Sequence, residues 1–219
     1  MTAPSKTHLL VKEGDALDSD GRVARGQLTR RRVAEALVAL LNEGTVEPTA
    51  REIAERAGVS LRLVFHHFSD LEDLHRAVGE LQFELHWSRL ATVPSDLPLS
   101  IRTALVAKSR GDLYEEIGAV RRAGMRKIDT SEGIARVIDD SNELLRLGLE
   151  STFAPEITSL SRTGLSPTDL LDMLDWATSW ESWERLRRHQ KMSPDRAVET
   201  LRRILDTIFE CSDFSAQPS

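Results

Sequence analysis

The stretch from Thr49 to Phe68, TAREIAERAGVSLRLVFHHF, constrains the fold more than any other part of the chain. Thr49 followed three residues later by Glu52 is a reciprocal capping box, which satisfies two orphan amides at the start of a helix. Ile53, Ala54 and Ala57 then recur on one side, with Arg51, Glu52, Glu55 and Arg56 on the other. Gly58 sits where a left-handed C-cap costs least, and Val59 supplies the apolar contact that accompanies such a cap. Ser60 caps a second helix, in which Val64 and Phe68 share one face and Arg62, Leu63 and His66 lie on others. Helix, tight Gly turn and helix is the layout whose second helix enters the DNA major groove. The same spacing fits an ordinary hairpin of two helices in any helical protein, so spacing alone leaves both readings open.

Charge is distributed unevenly around this stretch. The chain carries a formal charge of −6, which argues against coating nucleic acid through bulk charge. Between Arg22 and Phe68, however, there are eight Arg against five Glu, net +3, leaving −9 for the rest. That asymmetry fits a basic head on an acidic body. The single cysteine, Cys211, excludes an intramolecular disulfide and any multi-cysteine metal site within one chain, and a reducing cytoplasm is the simplest setting. Neither a signal peptide nor a run of roughly 18 apolar residues able to span a bilayer is present, so a soluble cytoplasmic protein with no membrane partner is expected.

A length of 219 residues accommodates a small domain joined to a larger one. Residues 1–21 lack sustained periodicity and read as a mobile tail, 22–69 as the helix-turn-helix domain and 70–219 as a larger helical domain. Within the head, Val33, Leu37, Leu40 and Leu41 form the apolar stripe of a helix over 27–43 that Gly44 ends. Arg30, Arg31 and Arg32 open that helix, and Arg22 and Arg25 precede it, where an arm can reach phosphates or the minor groove; the alternative is a solvated basic face.

The Arg-rich start, the amphipathic helix ending in Gly, TAREIAERAGVS and the VFHHF ending together resemble the DNA-binding head of the TetR family of transcriptional regulators, over about residues 25–74. The resemblance implies an all-α chain: a three-helix head, then a helical ligand-binding and dimerisation domain working as a homodimer on a double-stranded operator. Carried over residue by residue, it places Arg51 where the second helix reaches DNA, and Ser60, Arg62 and Leu63 at the opening of the recognition helix. Arg62 is the candidate for base readout, since a guanidinium bonds guanine bidentately. Phe65 stands where the family usually has Tyr, whose hydroxyl bonds a backbone phosphate, and Leu71 where it usually has Lys. Both contacts are therefore missing, and His66, His67 and the Arg arm, Arg31 included, are the residues placed to compensate. Adjacent residues on a helix point about 100° apart, so His66 and His67 do not jointly grip a metal ion, and no metal or cofactor is expected.

Ser69 and Glu72 suggest a capping box for a long helix running toward Ala91 and ended by Pro94. Periodicity predicts further helices over 97–109, 112–128 and 131–153. Ser166-Pro167 and Ser193-Pro194 each place an N-cap before a proline at the first helical position, starting the last two helices. In the first of these, Leu170, Leu174 and Ala177 form one stripe and Met173, Trp176, Trp180 and Trp183 a second. The final helix is likewise apolar on more than one face, with Ala197, Leu201, Ile204 and Ile208 beside Val198, Leu205 and Phe209. A twin chain is the simplest cover for such surfaces; central placement in a monomer is the other. Trp87, Met125, Asn142 and Trp176, polar or aromatic on otherwise apolar faces, are candidates to line an effector pocket, though each also suits a core. No phosphate loop, HExxH, GxSxG or paired-carboxylate arrangement licenses catalysis, so no catalytic residue is assigned and an enzyme is not expected. The sequence thus points to a repressor released from a near-palindromic operator by an unidentified small molecule. Its rival is a helical small-molecule binding protein or helical-bundle enzyme whose head no longer reads DNA.

Overall fold

The computed structural model describes residues 7–87, 93–159 and 166–214, without the side chains of 7–22, 83, 84, 87 and 211–214. All regular structure in these residues is helical. The chain divides into two compact units, Met1–Val78 and Gly79–Ser219, the boundary falling inside the fourth helix.

The head is built on α1 (Thr7–Asn42), which packs on α2 (Ala50–Ala57) and α3 (Leu61–His67). Val33, Leu37, Leu40 and Leu41 form the buried stripe of α1 that their spacing predicts. The helix begins at Thr7 rather than near Gln27, so the segment read as a tail is helical from Thr7 onward. No proline falls between Pro4 and Pro48, and extending an existing helix fixes one residue per hydrogen bond, which needs no apolar periodicity. Gly44, at φ 96°, ends the helix, with the Thr45 amide donating to the Leu40 carbonyl at 3.0 Å.

The capping box at Thr49 is closed in both directions. The Thr49 amide donates to the Glu52 carboxylate at 2.7 Å, and the Glu52 amide to the Thr49 hydroxyl at 3.3 Å. The Thr49 hydroxyl, which donates to the Glu52 carboxylate at 2.7 Å, and the Thr49 amide hold that carboxyl below its ordinary range. Gly58 takes the left-handed conformation (φ 64°, ψ 39°), and the Val59 amide reaches the Ala54 carbonyl at 3.0 Å. Ser60 then caps α3 by accepting from the Leu63 amide at 3.2 Å. Ile53, Ala54, Ala57, Val64 and Phe68 are buried against α1, so the hairpin's inner face is the one its sequence indicated.

Next comes α4 (Leu71–Trp87). Its cap is Asp70 rather than Ser69: the Asp73 amide donates to the Asp70 carboxylate at 2.8 Å, while the Asp73 carboxylate accepts from the Ser69 amide at 3.1 Å. The reciprocal pair is displaced one residue because a carboxylate at Asp70 competes with the hydroxyl beside it. Where this helix ends toward Ala91 lies outside the described residues.

The second unit contains α5 (Leu99–Met125), α6 (Glu132–Thr152), the short α7 (Ala154–Ser159), α8 (Pro167–Ala177), α9 (Trp180–Glu184) and α10 (Pro194–Phe214). One long helix, α5, replaces the two expected over 97–128. Gly111, the apparent break, is instead a contact point: a Cβ there would lie 2.6 Å from Val198 Cγ2 and 2.9 Å from Trp183 Cη2. The absence of a side chain lets α10 and α9 approach α5. Val106, Phe153, Leu170, Leu174, Leu205 and Phe209 belong to one core layer, and Leu113, Tyr114, Trp180, Trp183, Leu186 and Ala197 to the next.

The last third corrects a second expectation. Residues 167–190 are not one helix with two apolar stripes. The chain turns at Thr178 and Ser179, where Ser179 caps α9 by accepting from the Ser182 amide at 3.2 Å. The turn sends Trp180 and Trp183 into the core against Tyr114 and leaves Met173 and Trp176 outside, 41% and 72% exposed. After α9 the backbone passes through a π-helical turn over Arg185–His189, closed by the Gln190 amide on the Arg185 carbonyl at 2.9 Å, and then through Lys191 at φ 54°.

Candidate nucleic-acid interface

The outer surface of α3 gathers much of what the sequence assigned to DNA. Ser60, Arg62, Phe65 and His66 are exposed, and Arg51 is exposed on α2. Neither Arg51 nor Arg62 makes an ion pair or side-chain hydrogen bond among the described residues. Both guanidiniums are therefore available to an external acceptor. Leu63 and His67 are half-buried, so they are placed less well for direct contact than the sequence suggested. His66 and His67 stand edge to face, ring centroids 5.2 Å apart.

One exposed α3 residue was not singled out beforehand. Leu61 is 39% exposed and lies four residues before Phe65, itself 48% exposed, so the two share a strip of the helix surface. The i, i+4 relation is visible in the sequence, but only Phe65 is assigned a role there.

The arginines of α1 do different work from one another. Arg31 points outward and pairs with Glu35 at 2.9 Å across one helical turn. Arg32 instead donates to the Ala57 carbonyl at 2.9 Å, binding α1 to the C-terminal end of α2. Arg30 donates to the His67 carbonyl, lies 3.5 Å from the Asp73 carboxylate and stacks over the Phe68 ring at 4.2 Å. Two of the three therefore hold the hairpin in place, because carbonyls at helix C-termini carry partial negative charge and lack helical partners. Partial burial, His66 and Arg30 together push the His67 imidazole below its ordinary value. Asp73 keeps its carboxyl low despite the opposing effect of burial, through the Ser69 amide and the guanidiniums of Arg76 and Arg30. Leu71, half-buried at the start of α4, offers no charge where the resemblance implied one.

In the second unit the three effector-pocket candidates whose side chains are described do not converge. Met125 lines a cleft of about 500 Å3 with Arg122, Arg126, Trp180, Glu181, Glu184, Arg185 and His189. Asn142 is exposed on α6, where its carbonyl accepts from Arg121 at 2.6 Å. Trp176 is on the outside of α8, and the Trp87 side chain lies outside the described residues. The turn at Ser179, which reverses the inner and outer faces after α8, accounts for the displacement of Trp176. Among the described residues no helix is long and apolar enough to cross a membrane, and no group of three His, Cys, Asp or Glu is placed to hold a metal ion.

Comparison with known proteins agrees with this geometry. No curated protein matches the chain. The fold is similar to that of a transcriptional regulator from Rhodococcus sp. Rha1, at 18% identity over 83% of this chain and 96% of that one, TM-score 0.66. It is similar also to a tetR-family transcriptional regulator from Streptomyces coelicolor, at 21% identity over 87% and 82% of the two chains, TM-score 0.66. A multidrug binding protein solved with imidazole has the same fold at 18% identity, over 80% of this chain and 93% of that one, TM-score 0.55. Residues 33–78, from the middle of α1 to the middle of α4, match the model of the bacterial regulatory proteins of the tetR family. Over those residues the head is similar to the tetR family of bacterial regulatory proteins.

Proposed function

We propose that this protein is a dimeric transcriptional repressor that binds a near-palindromic operator through two heads and leaves it when a small molecule binds the body. The observation that carries the reading is the exposed, capped N-terminal end of α3, where Arg62 has no partner of its own among the described residues. Around it, Arg51, Ser60 and His66 supply donors for bases and phosphates, and Arg31 extends the basic surface along α1. Adjacent major grooves on one face of a duplex lie about 34 Å apart, so two heads on one operator require a fixed separation. A ligand that favours a misspaced conformation weakens operator binding by its differential affinity for the two states.

The dimer is assigned to α8 and α10, which carry the two apolar segments that the sequence read as the last two helices. Trp176 and Met173, exposed on α8, form an apolar surface that a second copy would cover. Ligand release is supported by the likeness to the multidrug binding protein. Footprinting on DNA upstream of the protein's own gene tests the function: a protected, roughly symmetric site at moderate salt is expected, and its absence argues against it.

A second reading has a specific observation in its favour. Phe65 and Leu71 leave the head without two phosphate contacts, which fits a helical small-molecule binding protein with a retired head. Salt dependence separates the two, since phosphate neutralisation gives a steep slope and a retired head almost none.

A further inference from the structure

The cleft beside α9 has the features of a small-molecule site, and its charge identifies the class of molecule. Its volume of about 500 Å3 falls in the range of ligand pockets, roughly 300–1,000 Å3. Met125 and the Trp180 ring provide apolar lining, and Gly118 on α5 lies beside that ring, where an added Cβ would meet Arg122 Nη1 at 3.2 Å and the ring at an ordinary 3.5 Å. Arg122 lies 6.0 Å over Trp180 and is paired with Glu184 at 3.1 Å. The remaining charged lining is Arg126, Arg185 and His189 against Glu181. Among the described residues neither Arg185 nor His189 has a carboxylate partner.

A second observation lies behind the lining. Tyr114 meets Trp180 edge to face at 5.6 Å, and α5 carries two buried guanidiniums on either side of Tyr114 in sequence. Arg110 is 6% exposed and donates to the Leu145 carbonyl at 2.6 Å; Arg121 is 9% exposed and donates to Ser141 and Asn142. Both hydrogen-bond to neutral acceptors, with Asp175 acting on Arg110 and Glu181 and Asp139 on Arg121 only through space, and Arg121 Nε is buried with no hydrogen-bond partner. Buried charge without a bonded counter-charge is costly, and in a low-dielectric interior its field extends further than in water. Arg185 and His189 themselves sit on the π-helical turn that ends at the positive-φ residue Lys191, local geometry of the kind found at functional sites.

We propose that this cleft is the effector site and that its effector is an organic anion with an aromatic body, the ring lying against Trp180 and Met125 and the acid group meeting Arg185 and His189. The proposal rests on the ligand-responsive reading above and adds the location and the chemistry.

Two fluorescent probes with one ring system test it on the full-length protein: 8-anilinonaphthalene-1-sulfonate, and N-phenyl-1-naphthylamine, which lacks the sulfonate. Saturable binding of one sulfonate probe per chain is expected, with the neutral probe about tenfold weaker, the scale of one charge-assisted hydrogen bond. Arg185→Gln, at an exposed position, should abolish most of that preference and leave the neutral probe unchanged. Met125→Ala should weaken both probes. Leu147→Ser, at an exposed apolar position on α6 outside the lining, should alter neither. Equal affinity for the two probes, an unchanged preference in Arg185→Gln, or loss of binding in Leu147→Ser overturns the proposal. An operator released by neutral compounds alone leaves the regulator reading standing and removes the anion. Selective anion binding in the cleft that leaves operator affinity unaltered removes the effector role instead.

Discussion

The guanidinium of Arg30 lies 4.2 Å from the centroid of the Phe68 ring and donates to the carbonyl of His67, so α1 grips the end of α3. Arg31, its neighbour, points away and, among the described residues, meets only Glu35. Arg30→Ala is therefore expected to destabilise the protein by about 1–2 kcal/mol, the stacking and one hydrogen bond being lost together. Arg31→Ala should leave the melting temperature nearly unchanged. Thermal unfolding of the two variants checks the difference.

On DNA the ordering reverses in kind. Arg62→Ala should relax preference at one base position by roughly 1–3 kcal/mol, whereas Arg31→Ala should weaken all sequences alike and reduce the salt slope by about one. Phe65→Tyr restores a hydroxyl where the family resemblance places a phosphate bond, and should tighten binding to every sequence by about 1 kcal/mol. Titrations against an operator and against random DNA measure all three. An Arg62→Ala effect equal on all sequences would refute the readout role.

Two glycines in the helices of the body make opposite predictions. At Gly111 an added methyl would stand 2.6 Å from Val198 Cγ2, so Gly111→Ala should cost about 1–3 kcal/mol through overpacking. At Gly148 nothing lies within 4 Å, so Gly148→Ala should stabilise α6 by roughly 0.5–1 kcal/mol. Denaturant midpoints of the two variants should move in opposite directions.

Buried charge gives a third stability test. Arg102, 5% exposed at its side chain, is bonded by Glu156, by the Leu97 carbonyl at 2.7 Å and by the Thr152 carbonyl at 2.9 Å. Glu156→Ala strands that guanidinium and should cost about 3–5 kcal/mol, while pairing Arg102→Met with Glu156→Leu should recover much of the loss. Equal losses in the single and double variants would show that the ion pair is not what matters there.

His67 carries a pH dependence. Its folded pKa is depressed below the ordinary 6.5 by partial burial, His66 and Arg30, so below that value the unfolded chain binds more protons than the folded one. Its stabilising contribution is complete above the unfolded pKa and is lost as pH falls through the folded one. Between pH 7 and pH 5.5 the melting temperature of the native protein should therefore fall more than that of His67→Gln.

Local chemistry was legible in the sequence where the residues that decide it are close together in the chain. Thr49 with Glu52, Gly58 and Ser60 fixed the hairpin, and the Ser166-Pro167 and Ser193-Pro194 starts are where the structure has them. Long-range packing was not legible. The break expected between 109 and 112 is absent because Gly111 there serves the approach of Val198 and Trp183, which nothing in its neighbourhood in the chain shows. Trp180 and Trp183 followed the period of Met173 and Trp176, and only the turn at Ser179 separates them. At the interface the types and positions on α3 were readable, but the division of labour among Arg30, Arg31 and Arg32 depends on which carbonyls face each guanidinium, which the sequence does not encode locally.

The central claim is that this head binds DNA without the usual phosphate contacts at positions 65 and 71. The most direct measurement selects bound sequences from a random duplex pool and follows the affinity of the winner from low to moderate salt. The account predicts enrichment of a near-palindromic site and a steep fall of affinity with salt, reflecting several neutralised phosphates. No enriched sequence and a slope near zero would contradict it.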